Sequence, residues 1–258
     1  RRSHLQPPGK GIHTADVVFM RSPDGEDWKE AFRVDVLPDD RGGDFLKTPN
    51  RLFYYFNSMK GRELSGYVIH TDDGETWTKP ERMLEPQWIF WKPLEHNGRF
   101  YANAHLKAEG KDAGKQRESR LITSADGLKW ETVATVRKGN WESETTFYFG
   151  PKEKLTAFLR TKYNPAGTIL EAMPPYARWT SRPANFHLSG HSIHTFRGVT
   201  YLFTRTMDPQ TRKAGLMIYI YADGKLEPYC RLPAGGDCAY AEAVETGETL
   251  IGLAGRRE

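Results

Sequence analysis

The chain has 258 residues, of which 38% are hydrophobic, 12% aromatic and 27% charged, with a net charge of +4 and a pI of about 8.9. This composition is typical of a globular protein, and the length suits one all-β barrel or propeller with a large core. The positive charge is too small to indicate nucleic-acid binding. No apolar run approaches the ~20 residues of a membrane-spanning helix.

The N-terminal segment and the two cysteines bear on cellular location. Arg1-Arg2-Ser3-His4 lacks the apolar core of a signal peptide and does not resemble a natural start. We therefore expect a secreted or periplasmic bacterial protein whose leader is absent from this chain. Cys230 and Cys238 are too few for a disulfide framework and allow at most one bridge.

A turn motif recurs along the chain. Residues 22–28 (Ser-Pro-Asp-Gly-Glu-Asp-Trp) return as 71–77 (Thr-Asp-Asp-Gly-Glu-Thr-Trp) and as 124–130 (Ser-Ala-Asp-Gly-Leu-Lys-Trp). A shorter copy occupies 222–227, and residues 174–179 stand where a further copy is due but lack the Asp-Gly pair. Near-constant spacing over the whole chain predicts a repeat fold of five periods.

The motif predicts a hairpin turn. Glycine accepts a positive φ, and the aspartate accepts hydrogen bonds from nearby backbone N–H groups. The Ser or Thr two residues earlier adds a hydroxyl to the turn, and the Trp begins the next strand and packs its ring between sheets. Strand-like runs precede the three full copies, at 16–20, 67–70 and 120–123.

Each period also contains a second pair of strand-like runs. The clearest has an Asn-Gly turn at Asn97 and Gly98, and the other pairs occupy 145–159, 192–203 and 243–251, with a single run at 47–56 in the first period. Two hairpins per period make a four-stranded antiparallel sheet, and such sheets repeated around an axis make a propeller.

We therefore predict an all-β fold: a five-bladed β-propeller with four antiparallel strands per blade, forming a single domain over 1–258. The chain begins with a hairpin at about 15–36 that has no earlier partner and ends with a hairpin at 240–254 that has no later one. We expect the two hairpins to join as the last blade, which would close the ring and cover the exposed sheet edges.

Function is expected where the first strand of each blade begins and the second ends, because loops on a rigid scaffold carry binding and catalytic residues. Five residues there are candidates for catalysis: Asp44, Glu142, Glu144, Asp237 and Tyr240. Nine more are candidates for substrate binding: Lys47, Trp91, Lys92, His105, Arg160, His191, His194, Arg205 and Glu242.

This mixture of acids, cations and aromatics fits a pocket that cleaves a glycosidic bond. Cleavage usually needs two carboxyl groups, one of them kept protonated. Glu142 and Glu144 share one strand face by their spacing, so either could be the general acid. The second carboxyl would come from Asp44 or Asp237. Two arginines could hold an acidic group bidentately, and an aromatic ring could stack on a sugar.

Structural roles remain open for each candidate. Charged residues at strand ends often form incidental ion pairs. His191 and His194 lie three residues apart, which puts them on opposite faces of a strand and disfavours a shared metal. Cys238 is expected to be an inert packing residue. We expect no metal and no cofactor.

The three complete turn motifs resemble the Asp-box repeats of sialidases. That resemblance implies arginines on a substrate carboxylate, for which Arg160 and Arg205 are suitable, and a tyrosine nucleophile beside a glutamate, as Tyr240 would be with Glu144 or Glu242. Five blades look more like arabinanase- and invertase-type glycosidases, which implies an Asp base at Asp44 and a Glu acid at Glu142 or Glu144. Lys92 stands where those families carry their second Asp.

We therefore expect an exo-acting, sialidase-like glycoside hydrolase that cleaves a glycan, with an acidic sugar as one candidate, by a carboxylate pair at the central axis. One alternative is a polysaccharide lyase that uses His191, Tyr240 and Lys92. Another is a glycan-binding propeller without catalysis. The expected partner is an oligosaccharide, with no nucleic acid and no membrane. The sugar, the linkage, the stereochemical outcome and the oligomeric state stay open.

Overall fold

The computed structural model describes residues 15–161, 167–207, 214–232 and 237–257. Within these ranges the only helices are the short α1 (Ala113–Gln116) and a 3-10 turn (Pro151–Glu153). No helix in this part of the chain is long and apolar enough to cross a membrane. The chain divides into two compact units, of which the first runs to Lys107 and includes Ile122–Glu131, while the second contains the remaining residues.

Four four-stranded sheets follow one another along the described chain. The first has the order β3-β4-β5-β6, and the second has the order β10-β9-β8-β7. Their strands are β3 (Asp39–Lys47), β4 (Leu52–Lys60), β5 (Glu63–Thr71), β6 (Glu81–Arg82), β7 (Trp88–His96), β8 (Arg99–Leu106), β9 (Glu118–Ser124) and β10 (Glu131–Lys138).

The third and fourth sheets belong to the second unit and are antiparallel throughout. Their orders are β11-β12-β13-β14 and β15-β16-β17-β18. The strands are β11 (Thr145–Phe149), β12 (Leu155–Arg160), β13 (Gly167–Ala172), β14 (Thr180–Pro183), β15 (Ser192–Phe196), β16 (Val199–Met207), β17 (Ala214–Ala222) and β18 (Lys225–Leu232). The predicted strand runs and hairpins are confirmed.

The prediction of a fifth four-stranded blade is wrong. The N-terminal hairpin, β1 (Val17–Arg21) with β2 (Lys29–Val34), and the C-terminal hairpin, β19 (Asp237–Thr246) with β20 (Thr249–Arg257), are separate two-stranded sheets. The first hairpin instead packs Val17 and Phe19 on the aromatic side chains of β4. A parallel bridge from Ala15 to Asp39 also ties it to β3. Sequence periodicity counted the repeats but could not choose the partners of the terminal hairpins.

The Asp-Gly turns have the predicted hydrogen bonds. Asp24 Oδ1 accepts from the backbone N–H groups of Glu26 and Asp27, each at 2.9 Å, and from the Ser22 hydroxyl at 2.8 Å. The turns at Asp73 and Asp126 repeat this pattern. These bonds favour the charged carboxylate, and they lower the pKa of Asp24 to about 2. The turns are therefore structural.

Aromatic and aliphatic side chains from neighbouring strands form the cores. In the first unit Tyr55 and Phe90 stack with ring centroids 4.6 Å apart, and Trp130 meets both of them edge-on. In the second unit Phe158 and Leu202, both fully buried, belong to one cluster that spans the third and fourth sheets. These contacts pack the first sheet against the second and the third against the fourth.

Four residues with a positive φ recur at a regular spacing along the chain. Lys92, Trp141, Gly190 and Tyr240 have φ of 45°, 58°, 53° and 59°, and they are 49, 49 and 50 residues apart. Lys92 and Tyr240 occupy bulges in β7 and β19, whereas Trp141 and Gly190 precede β11 and β15. A bulge or left-handed residue re-aims the adjacent side chains. The repeat therefore places one left-handed residue within β7 and β19 and just before β11 and β15.

Two adjacent glycines in β3 allow a matched test of the packing that carries Asp44. A Cβ added at Gly43 would lie 1.7 Å from the carbonyl oxygen of Tyr55, whereas one added at Gly42 would meet nothing within 4 Å. We expect Gly43→Ala to lower the free energy of unfolding by about 1–3 kcal/mol, the usual cost of overpacking. Gly42→Ala should change it little. Urea unfolding measures both, and equal effects would contradict this packing.

Candidate active site

Five side chains of the second unit form the cluster that we call the Glu144 cluster: Glu144, Arg160, His187, Arg205 and Tyr240. Glu144 immediately precedes β11, and its side chain is 10% exposed. Its Oε1 accepts hydrogen bonds from Arg160 Nη1 at 2.8 Å and from the Tyr240 hydroxyl at 3.2 Å. Its Oε2 accepts from the backbone N–H of Gly190 at 2.7 Å. One carboxylate therefore joins three chain segments.

The backbone brings Glu144 and Arg160 together. Antiparallel pairing of β11 with β12 places Thr145 opposite Leu159. The pairing continues one step further, because Arg160 N–H donates to Glu144 O at 2.9 Å and Ser143 N–H donates to Arg160 O at 3.1 Å. Directly opposite residues in such a ladder have neighbouring side chains. The Glu144–Arg160 ion pair is thus a cross-strand pair at the end of the sheet.

Gly190 connects Glu144 to Tyr240. Its N–H binds the Glu144 carboxylate, and its carbonyl oxygen accepts from Tyr240 N–H at 2.8 Å. A Cβ at this position would lie 2.7 Å from Ala239 Cβ and 3.1 Å from the Tyr240 ring. Only glycine combines that approach with a φ of 53° at little cost. Gly190 therefore holds the tyrosine hydroxyl on the carboxylate.

Cations surround this pair. The guanidinium carbon of Arg205 lies 5.7 Å from the centroid of the Tyr240 ring, and its Nη1 donates to the Ser189 hydroxyl at 3.3 Å. Burial lowers the pKa of His187, and the positive charges of Arg160 and Arg205 lower it further, while Glu144 has the opposite effect. His187 is therefore predominantly neutral at neutral pH, where it can accept a proton.

A sixth residue, Arg117, lies beside the cluster. Burial lowers the pKa of Arg117, and the nearby Arg160 lowers it further, whereas Glu109 raises it. Its guanidinium lies over the ring of Trp141, 5.3 Å from the centroid. Its Nε is buried and has no hydrogen-bond acceptor among the described residues. Arg117 is thus a third partly buried guanidinium group of the second unit, and it interacts electrostatically with Arg160.

The candidates of the first unit form a separate group around Asp44. Its Oδ1 accepts from Lys92 Nζ at 2.6 Å and its Oδ2 from Lys92 N–H at 3.1 Å, and both side chains are about 10% exposed. The Lys92 ammonium also lies 5.6 Å from the centroid of the half-buried Trp91 ring. His105 is buried beside Asn103, and Lys47 is exposed at the end of β3. Asp44 is therefore held in a buried ion pair.

Glu142 is bound apart from Glu144, contrary to the prediction that the two share one strand face. Both precede β11 rather than lying in it, and the Glu142 side chain is fully buried. Its Oε2 accepts from Asn140 N–H at 2.6 Å, and its Oε1 lies 3.3 Å from Arg137 Nε. The Asn140 bond closes a ring across Trp141. Glu142 therefore supports the left-handed turn at Trp141.

The remaining candidates lie outside the cluster. His191 is fully buried and its Nε2 is 2.7 Å from Phe158 O, so it contributes to packing. His194 Nε2 lies 3.8 Å from Glu242 Oε2. The side chain of Asp237 is outside the described residues. Cys230 and Cys238 are free thiols next to one apolar cluster.

The structure thus brings together four predicted residues: Glu144, Arg160, Arg205 and Tyr240. Sequence reasoning missed His187 and Arg117 as members of this site. His187 comes three residues before Gly190, just ahead of a first strand, and that position was its one available signal. Arg117 ends the loop around α1, which lies outside the repeat pattern, so no spacing pointed to it.

His187 should make stability depend on pH. Its pKa in the folded protein is lowered, so the unfolded chain takes up the proton first as pH falls below about 6.5. Stability is retained above that pH and declines below it. We expect His187→Gln to reduce this decline, measured as the free energy of unfolding in urea at a series of pH values. Identical pH slopes in both proteins would contradict the assigned environment.

Comparisons with known proteins identify the fold. No family model matches this sequence, and no curated protein is similar to it in sequence. Among solved structures, the chain is similar to an endo-arabinase from Bacteroides thetaiotaomicron, with a TM-score of 0.59, 14% identity, and coverage of 83% of this chain and 88% of that one. It is also similar to an α-L-arabinanase from Cellvibrio cellulosa complexed with arabinohexaose, with a TM-score of 0.55, 10% identity, and coverage of 82% and 84%.

A third similar structure is a GH43 β-1,3-galactosidase with galactodeoxynojirimycin, with a TM-score of 0.52, 16% identity, and coverage of 74% and 75%. At these identities the likeness shows the fold alone. It confirms the all-β propeller class, with four blades in place of the predicted five. The resemblance to arabinanase-type folds is supported, and the resemblance to sialidases stays a prediction.

Proposed function

We propose that this protein is a glycoside hydrolase that acts on a glycan containing an acidic sugar. The observation that carries the proposal is the Tyr240 hydroxyl bonded to the Glu144 carboxylate at 3.2 Å, with Arg160 on the same oxygen. A hydroxyl beside a base that a third group orients is the arrangement of an activated nucleophile. The similar folds of three glycan-cleaving enzymes support this class of activity.

The pair suggests a covalent route. Glu144 accepts the phenolic proton while the Tyr240 oxygen bonds to the anomeric carbon and the bond to the leaving oxygen breaks. The leaving oxygen takes a proton from a general acid. Water then bonds to the anomeric carbon and gives a proton to the conjugate base of that acid, while the bond to the Tyr240 oxygen breaks and Glu144 returns the proton to that oxygen. An uncharged nucleophile suits an acidic sugar, because a carboxylate would be repelled by the acidic group. Asp237 remains the candidate for the general acid.

The cations supply recognition. Arg160 and Arg205 flank Glu144 and Tyr240, and guanidinium groups bind carboxylates and sulfates through paired hydrogen bonds. Arg160 is 31% exposed at its side chain, so a ligand can reach it. This role replaces the predicted pair of carboxylates: both oxygens of Asp44 already bind Lys92, and Glu142 is fully buried. We also propose that the enzyme is exo-acting and releases the terminal sugar of the glycan.

Matched substitutions test the proposed reaction. We expect Tyr240→Phe and Glu144→Gln each to lower kcat about 100- to 10,000-fold, because each removes part of the proton transfer. The assay uses fluorogenic glycosides in acidic and neutral pairs of the same anomeric configuration, such as a glucuronide and the corresponding glucoside. An N-acetylneuraminide is a further acidic substrate. Glu248→Gln is the control, because its side chain is 91% exposed and pairs with Arg197.

Two results would count against this function. One is an equal rate on acidic and neutral glycosides, which would remove the role of the arginines. The other is a Tyr240→Phe protein that keeps the wild-type rate. Binding of acidic sugars with no turnover of any substrate would instead favour the glycan-binding alternative.

His187 favours one second candidate, a uronate lyase. His191, the histidine considered from the sequence, is fully buried, whereas His187 belongs to the cluster and is neutral at neutral pH. It could take the C5 proton of a uronate whose carboxylate the arginines neutralise, while the C4–oxygen bond breaks and the leaving oxygen takes a proton from Tyr240. The sugar product then contains a carbon–carbon double bond. Because we propose hydrolysis, we expect no rise in ultraviolet absorbance during cleavage. Such a rise would show that the enzyme is a lyase and would contradict the hydrolytic mechanism.

A further inference from the structure

The guanidinium group of Arg205 is held by a buried hydroxyl. Its Nη1 donates to Ser189 Oγ at 3.3 Å, and Ser189 is fully buried. The same two residues also pair through the backbone, because Arg205 N–H donates to Ser189 O at 3.0 Å. The guanidinium carbon lies 5.7 Å from the centroid of the Tyr240 ring. Ser189 therefore anchors the guanidinium beside the candidate nucleophile.

The backbone on both sides of Ser189 is fixed as well. Ser189 N–H donates to Thr204 Oγ1 at 3.1 Å, and the Thr204 hydroxyl donates to His187 O at 3.2 Å. On the other side, Gly190 N–H donates to Glu144 Oε2 at 2.7 Å. The Ser189 hydroxyl is thus an acceptor in a fixed position, on the same segment that carries the contact to Glu144.

A fixed acceptor matters because an arginine side chain is long and has many rotamers. Ordering such a side chain when a ligand binds is entropically unfavourable, and ordering it beforehand raises affinity. A guanidinium group has five N–H donors in one plane, so a bond to Ser189 is compatible with paired bonds to an acidic group. The bond to Ser189 sets the direction of that plane before the sugar arrives.

We propose that Ser189 is a positioning residue that determines specificity for the acidic sugar by acting through Arg205. Ser189 binds no part of the sugar. It orients the guanidinium group that recognises the acidic group, while Tyr240 and Glu144 keep their own hydrogen bonds. This inference rests on the proposed function, because it names the residue that sets the preference of the same site for an acidic substrate.

Steady-state kinetics of Ser189→Ala test this role, with a fluorogenic glucuronide and the corresponding glucoside as substrates. We expect KM for the glucuronide to rise about five- to tenfold, roughly the value of one hydrogen bond. We expect kcat to change less than about twofold, because the reacting groups are untouched, and the kinetics on the glucoside to stay the same. Ser192→Ala is the matched control, because this buried hydroxyl donates to Ala241 O at 2.5 Å and not to a guanidinium group.

A double-mutant cycle shows whether Ser189 acts through Arg205. Arg205→Ala alone should also raise KM for the glucuronide. Adding Ser189→Ala to Arg205→Ala should change KM by less than about twofold, because the group that Ser189 orients is already absent. A purely structural role of Ser189 would instead give the same further loss in both backgrounds.

The outcomes separate this inference from the proposed function. If Arg205→Ala removes the preference for the glucuronide but Ser189→Ala keeps the wild-type KM, the role of Ser189 is wrong and the acidic-sugar site stands. Equal losses on both substrates, or equal losses in Ser189→Ala and Ser192→Ala, would assign the effect to the fold and overturn the role. If the wild type shows no preference for an acidic glycoside, both proposals are wrong.

Discussion

The second unit depends on the carboxylate of Glu144. This nearly buried group needs hydrogen-bond donors, because an unpaired charge removed from water is unfavourable by several kcal/mol. It takes them from three segments: Arg160 at the end of β12, Gly190 before β15 and Tyr240 in β19. The same contacts that satisfy the charge bring a hydroxyl, a base and a cation to one point. The hydrogen bonds that stabilise the buried carboxylate are therefore the same ones that position the candidate reacting groups.

Asp44 in the first unit is also a nearly buried carboxylate, and it is stabilised by a different set of donors. It also accepts a backbone N–H from a left-handed residue one repeat later, that of Lys92, as Glu144 does from Gly190. At Lys92, however, the same residue supplies the side-chain cation, so the pair is complete within itself. At Gly190 there is no side chain, and the second oxygen of Glu144 is left to Tyr240 and Arg160. The repeat supplies the turn, and the residue at the turn decides whether the carboxylate pairs with that residue's own side chain or with other segments.

Sequence periodicity predicted the strands, the hairpins and the Asp-Gly turns, because these depend on local hydrogen bonds and alternation of side chains. It also named Glu144, Arg160, Arg205 and Tyr240. Periodicity could not predict which group each side chain would bind. Glu142 occupies an equivalent position in the alternating pattern to Glu144, but its side chain pairs with Arg137. His191 is also a histidine near the start of a first strand, as His187 is, but its ring lies against a backbone carbonyl oxygen. The sequence also failed to predict how the terminal hairpins are placed, because a hydrophobic strand face does not identify the sheet that packs against it.

The positive charges around Glu144 are the reason for proposing an anionic ligand. Arg117, Arg160 and Arg205 are partly buried. Burial lowers the pKa values of Arg117 and His187, and nearby arginines lower them further. Bringing guanidinium groups close together is unfavourable in the free protein, and a bound anion would reduce that cost. Placing positive charge where negative charge will arrive is the general means by which sites bind anions and stabilise charge that develops during reaction. The repulsion between cations is unfavourable in the free protein and is reduced when an anion binds. The acidic group of the proposed sugar should therefore contribute most of the binding affinity.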